Sequence, residues 1–571
     1  MNPRVRMIVP AALASLLAFT ALPAAGSDSE GHGSPLSKIN HIVVIYQENH
    51  SFDNLYGGWE GVNGRSHADA PHTLQVKQDG TRFNCLLQND VNLAAALPAG
   101  CADTTGAPAN TAFTSHFGNA PFGIEAVIPS SARTCPQPGV FAPHGLTPSP
   151  ANLPGGCTED IVHRFYQEQY QLNHGNQNRY ATGSDAAGLT QGFFDTRALP
   201  IYQFLHQEDH PKYAIADNFF QGAFGGSFLN HQWLIAAATP SWPAAPLANH
   251  SIIDSNGMPS AGPLYQPTGP VLDRQLTVAC PSPVAGLACG DFAVNTIQST
   301  FQPHGGGAQL PPLHGTNIGD ELSAAGVSWA WYSGGWSNAD GEVGAPGWTN
   351  GAGPACTDPN SKPNPTFPFC PNKVFQFHHQ AFNYFANYAP GTTARAQHLR
   401  DEAEFVNLAQ SSTDDECNLK SVSFIKPIGL ENEHPGYTDV TTGSNHLVDL
   451  IKAIEGSACR KDTMVVVTYD EFGGQWDHVT PPGQGGAAGP HDLWGPGTRV
   501  PALIIAPRLR DDFVVDDTQH DTTSILRTIE HRFGLAPLGT RDAAVNDLAS
   551  VFRARAIGDD DGGDGGDGSG E

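Results

Sequence analysis

The 571-residue chain has no basic cluster, no CxxC pair, no twin-arginine pair near its start and, past its first 26 residues, no apolar run long enough to cross a bilayer. Each absence narrows the function. With 29 Lys and Arg against 56 Asp and Glu the net charge is -27, whereas a nucleic-acid footprint is basic and clustered, so no nucleic-acid partner is expected. Without CxxC spacing, the ten cysteines do not read as a zinc–thiolate centre. Charged residues of either sign are scarce, at 15%, while Gly (63) and Pro (46) are abundant. That composition implies many loops, yet a hydrophobic fraction of 39% still supports a core and argues against wholesale disorder.

What is present begins with a leader. Arg4 and Arg6 precede an apolar stretch from Val9 to Ala21, followed by small residues at Ala24, Ala25 and Gly26. This pattern reads as a signal peptide over residues 1–26. The stretch is shorter than the roughly 20 residues of a spanning helix, so no permanent membrane anchor is expected and the protein is expected to be secreted or periplasmic. Cysteines in Gly/Pro-rich loops, often close neighbours such as Cys280 and Cys289, suit disulfides in an oxidising compartment. An acidic surface repels anionic substrates at long range, so binding one requires a local positive centre, which a bound metal supplies.

Residues 27–37 read as a flexible lead-in, 38–550 as one catalytic domain with insertions near 59–157 and 240–372, and 551–571 as an acidic disordered tail. Ile42–Tyr46, Thr463–Tyr469 and Val500–Ala506 are β-branched runs without alternation, the mark of strands buried on both faces. Residues 444–455 and 521–533 carry helical apolar periods, and 160–170 is polar-aromatic with helical spacing. The expected fold class is α/β, a mostly parallel sheet sandwiched by helices, with long disulfide-stapled Gly/Pro-rich insertions.

Two of the strands end in polar clusters, Glu48-Asn49 and Asp470-Glu471. Ligands of open α/β sheets bind beyond the carboxyl ends of strands, and carboxylates with an amide oxygen suit a hard divalent cation. One such cluster reads as an ordinary loop start; two, each after a β-branched run, point to a shared site. Ser227 follows Gly225-Gly226, where a serine serves as helix cap, as nucleophile, or as both. It is followed by Phe228-Leu229 rather than x-Gly, so the G-x-S-x-G elbow of acyl hydrolases is absent. Of 24 histidines, His163, His378, His379, His434 and His478 stand in contexts that suit phosphate contacts or proton transfer. In mild acid they would become cationic, which hints at an acid optimum.

Six blocks in order, HIVVIYQENHSFDNLYG (41–57), ADNFFQGAFGGSFLNH (216–231), NEHPGY (432–437), TYDEFGGQWDHVTPP (468–482), GTRVPALIIAP (497–507) and HDTTSILRTIEHRFGL (520–535), resemble the signatures of the bacterial acid phosphatase and phospholipase C family, a branch of the alkaline phosphatase superfamily. The resemblance implies an alkaline-phosphatase-like core and one divalent metal ion, its identity open. It places the metal at Glu48, Asn49, Asp470 and Glu471, the last pair standing where relatives can carry Asp-Asp. It makes Ser227 the nucleophile and a metal contact, and His434 a substrate-phosphate contact. His163, with His174 as rival, and His378-His379 look like further active-site histidines, and His478 lies in a shared block. The implied reaction is hydrolysis of small phosphate monoesters through a phosphoserine; the alternative is a phospholipase C acting on phospholipid head groups, phosphatidylcholine or sphingomyelin. From other classes stand a catalytically dead binding protein of the same fold and an acyl esterase.

Overall fold

The computed structural model describes residues 34–88, 97–105, 112–127, 158–240, 242, 252–253, 264–265, 288–289 and 309–556, save 364 and 414. The leader, most of the lead-in, Cys135, Cys157, Cys280 and residues 557–571 lie outside them. No helix among the described residues is long and apolar enough to cross a membrane.

Nine strands form the central sheet: β1 (His41–Gln47), β2 (Tyr213–Ala216), β3 (Trp329–Ser333), β4 (Leu399–Asp401), β5 (Val422–Lys426), β6 (Thr463–Tyr469), β7 (Ala502–Ile505), β8 (Phe513–Asp516) and β9 (Arg555–Ala556). Their order is β4-β3-β5-β1-β6-β7-β2-β8-β9. The five strands from β4 to β6 are parallel neighbours. β7 runs antiparallel to both β6 and β2, β8 is parallel to β2, and β9 closes the edge antiparallel. The sheet is therefore mostly parallel, as the unalternating runs imply. Every residue of β6, and all of β1 beyond His41, is buried, which leaves no polar face for alternation to mark.

Helices α1 (Phe165–Leu172), α2 (Ser227–Ala236), α3 (Glu402–Ser411), α4 (Val440–Glu455) and α5 (Thr523–Phe533) are the longest of those that flank the sheet. In α4 the expected stripe of Leu447, Leu450, Ile451 and Ile454 is buried, and Asp439 caps the start by accepting from the Thr442 N–H. The expected helix from residue 160 starts only at Phe165, because Asp160–Arg164 is extended and carries His163 to the sheet's carboxyl end.

Two expected boundaries and one expected pairing pattern differ from the structure. Part of the expected 240–372 insertion belongs to the core: Trp329–Ser333 is β3, paired to β5. Its aromatic WAWYS sequence lacks the β-branched signature, although it is wholly buried. At the other end, Leu548–Arg553 is a 3-10 helix and Arg555–Ala556 is β9, so the tail does not begin at 551. Cys85–Cys101 and Cys356–Cys370 join loop neighbours, but Cys417–Cys459 spans 42 residues and reaches a buried cysteine just before β6.

Within the 59–157 insertion, the buried Asp103 carboxylate takes hydrogen bonds from Lys77 Nζ (3.0 Å), the Thr105 hydroxyl (2.7 Å) and the Asn84 N–H (2.9 Å). Burial alone would raise its pKa, but these donors prevail and hold it down to about 2. A folded pKa below the unfolded value of about 3.9 stabilises above that value, and the contribution is lost as pH falls toward 2. Urea titrations of Asp103→Asn against the native chain are expected to show lower stability at pH 7, with the gap closing between about pH 4 and pH 2.

Candidate active site

Seven in-register pairs join β1 to β6, the last being Gln47 with Tyr469. The Asp470 N–H continues the ladder to the Gln47 carbonyl at 3.0 Å. Glu48-Asn49 and Asp470-Glu471 therefore leave the sheet side by side. Asn49 turns with φ 64°, and its N–H donates to Asp470 Oδ1 at 3.1 Å. Gly473 makes that approach possible: at φ 61° a Cβ would lie 2.1 Å from the Asn49 carbonyl oxygen.

The serine arrives from the other side. Gly225 (φ 87°) touches the backbone of Phe165, where a Cβ would stand 2.5 Å from its nitrogen. Gly226 is the N-cap of α2 and Ser227 its first residue. The hydroxyl does not cap; it donates to Glu48 Oε2 at 3.3 Å. The turn is held by buried Glu168, which accepts from the Gly225 N–H (2.5 Å), Gln221 Nε2 (2.9 Å), and the Thr498 N–H (2.7 Å) and hydroxyl (2.9 Å). Burial outweighs these donors and pushes its pKa up to about 7.

Histidines close the cluster. His163 Nε2 lies 3.5 Å from both Glu471 Oε1 and Asn49 Nδ2. His379 Nδ1 is 3.3 Å from Glu48 Oε1; its ring centre is 4.3 Å from that of His378 and 6.5 Å separates those of His163 and His434. His163 and His434 each have Nδ1 2.6 Å from a backbone carbonyl, of Ile161 and Pro435. In the neutral ring that contact fixes the proton on Nδ1 and leaves Nε2 as acceptor. The expectation of histidines turning cationic in mild acid is corrected: burial holds His378 down to about 3, and His379 and His434 well below the ordinary value.

His478 is not part of this group. Its Nδ1 bonds Asp53 Oδ2 at 2.6 Å and its Nε2 bonds Asn63 at 3.2 Å, within a buried network where the Arg499 guanidinium pairs with Asp53 and Asp477. The Arg499 guanidinium already pairs with both carboxylates there. His174, the rival of His163, is exposed.

Two residues of the cluster were not singled out in the sequence. His231, one helical turn after Ser227, has Nε2 3.7 Å from Glu48 Oε1 and Nδ1 3.8 Å from Asp470 Oδ2, and stacks on His379 at 4.9 Å. The i,i+4 spacing from Ser227 was the available signal. Lys426, the last residue of β5, pairs with Glu48 Oε1 and donates to the Tyr46 carbonyl at 3.0 Å; only its place at a strand end marked it.

The donor set fits a divalent cation. Asn49 Oδ1, Asp470 Oδ2 and Glu471 Oε1 are buried without hydrogen-bond partners. Burial and mutual repulsion raise the pKa of Glu48 and Glu471 well above the carboxylate range, and burial raises that of Asp470. Three carboxylates against one ammonium leave two negative charges, which a hard dication would offset.

A family model described as Phosphoesterase family matches residues 39–536. The chain is 37% identical over 162 residues to Phospholipase C B of Mycobacterium tuberculosis, covering 24% of this chain and 30% of that protein. It is 30% identical over 138 residues to Non-specific phospholipase C6 of Arabidopsis thaliana, covering 21% and 26%. The matched stretches thus span less than a third of these relatives. Among solved structures it is similar to the phosphonate monoester hydrolase SpPMH from Silicibacter pomeroyi at 18% identity and a TM-score of 0.16 over 23% of each chain, a likeness too slight to carry an argument.

Removing the ammonium should expose the strain in the carboxylate cluster. Lys426→Met is expected to lower the stability of the cation-free protein by about 3–5 kcal/mol, the cost of stranding a buried charge, measured by urea unfolding in chelator.

Proposed function

Since the chain belongs to the Phosphoesterase family, we propose that it is a phosphoric ester hydrolase with Ser227 as nucleophile and phosphate monoesters as substrates. The observation that carries this reading is the serine hydroxyl, directed not to the helix backbone but to Glu48 Oε2 at 3.3 Å, beside three buried oxygens without hydrogen-bond partners.

Glu48, Asn49, Asp470 and Glu471 would hold a divalent cation, which would supply positive charge beside the serine oxygen and the phosphoryl group. The remaining steps belong to the chain. Ser227 Oγ attacks phosphorus in line and its proton passes to Glu48 Oε2, its hydrogen-bond acceptor. The bond from phosphorus to the ester oxygen breaks, the leaving oxygen takes up the proton from Glu48 and departs as the alcohol, and the phosphoryl group rests on Ser227. Water then attacks the phosphoserine, returning free serine and inorganic phosphate. His163 and His434, each with Nδ1–H held by a carbonyl, offer Nε2 as proton acceptors, suited to a phosphate monoanion's hydroxyl or to the attacking water. The monoanion prevails in acid, where burial keeps the His434 imidazole neutral, which supports an acid phosphatase.

The names of the mycobacterial and plant relatives favour a second reading, a phospholipase C acting on phosphatidylcholine or sphingomyelin. Export to an oxidising compartment is part of the proposal; the disulfides Cys85–Cys101, Cys356–Cys370 and Cys417–Cys459 support it.

Ser227→Ala is expected to lower turnover of p-nitrophenyl phosphate by at least about a thousandfold with an unchanged circular dichroism spectrum; near-native turnover would remove the serine from the reaction. In the native protein, kcat/KM on p-nitrophenyl phosphate should exceed that on p-nitrophenyl phosphorylcholine, and the reverse order would establish the diesterase.

A further inference from the structure

Outside the strand-end cluster, three side chains from separate elements converge. Glu402 opens α3, Glu431 lies in the loop that leads to His434, and His446 sits within α4. His446 Nε2 is 2.8 Å from Glu402 Oε1 and 3.7 Å from Glu431 Oε2, and one donor atom from each residue lies within 4.8 Å of the others. Around a tetrahedral zinc with bonds of ~2.0–2.1 Å, donor atoms stand about 3.3 Å apart; the two measured distances bracket that value.

Two further observations ask for a ligand here. Glu402 is 6% exposed, and its second oxygen, Oε2, is buried without any hydrogen-bond partner, an unmet demand in a native interior. In addition, the charged groups acting on His446 are Glu402, Glu431 and Asp449, all acidic. Among the described residues neither Glu402 nor Glu431 pairs with a lysine or arginine, in contrast to the Asp53–Asp477 pair, whose place is filled by Arg499.

We propose that Glu402, Glu431 and His446 form a second cation site, of zinc type, separate from the catalytic cluster. One imidazole with two carboxylates is a zinc donor set, leaving a fourth position for water. Binding displaces the proton that the imidazole shares with the two carboxylates. A cavity of ≈ 650 Å³ lined by His446, Asp449 and Gln410 adjoins the imidazole. The site braces a loop that matters: next to Glu431 is Asn432, whose carbonyl accepts the Glu48 N–H at 3.0 Å, and two residues further lies His434.

The test is calorimetric titration of the chelator-stripped full chain with zinc at pH 8. The native protein should take up two equivalents. Glu431→Gln, which alters a side chain 40% exposed and so spares the fold, and His446→Gln should each weaken one of them by at least about tenfold, while Asp470→Asn removes the other. Native stoichiometry and affinity in Glu431→Gln and His446→Gln would overturn the proposal. So would uptake that depends on Asp470 alone, or no uptake at all; Glu402 and His446 would then form an ion pair only. Loss confined to Asp470→Asn refutes this site and leaves the catalytic reading standing.

Discussion

The register between β1 and β6 is the constraint on which the rest of the site depends. Parallel strands in register end at the same height, so Glu48-Asn49 and Asp470-Glu471 emerge next to each other although more than 400 residues separate them in sequence. A slip of one residue would turn every side chain to the opposite face; with both strands buried throughout, packing forbids it. The same geometry creates the site's difficulty, because it forces three carboxylates into a fully buried space. Lys426 offsets one, and the remaining excess suits the cluster to a hard cation.

A second requirement is the delivery of a small hydroxyl to that crowded point. Ser227 stands at the first position of α2, behind a glycine whose backbone lies against Phe165. Glu168 gathers four donors from the turn and from Thr498, so the serine is positioned by a buried carboxylate that never touches the cluster. Ser227 and the strand-end carboxylates therefore rest on or directly beside regular elements, and the loops are left to shape what surrounds them.

Much of this was legible in the sequence, because burial on both faces writes itself as unbroken β-branched runs. Ile42–Tyr46 and Thr463–Tyr469 announced the two central strands, and the polar residues after them are the ones the fold gathers at the strand ends. Trp329–Ser333 was not legible: an aromatic strand amid Gly/Pro-rich sequence carries no such signature, and its identity comes from pairing with β5. Lys426 and His231 were missed because a lysine ending a strand and a histidine inside a helix look ordinary until the fold sets them against Glu48. His478 failed in the opposite sense. It stands seven residues after Glu471, but its ring is committed to Asp53, and sequence proximity says nothing about which way a loop turns.

The left-handed backbone at Asn49 carries one more implication. Among residues with a side-chain amide, asparagine tolerates that conformation readily, whereas the longer glutamine does so poorly. Glycine would accept the turn but offer no donor, and aspartate would accept it while adding a fourth negative charge. Chemistry and chain geometry thus select the same residue independently, and a lineage that altered this position could keep one function of the side chain only by forfeiting the other.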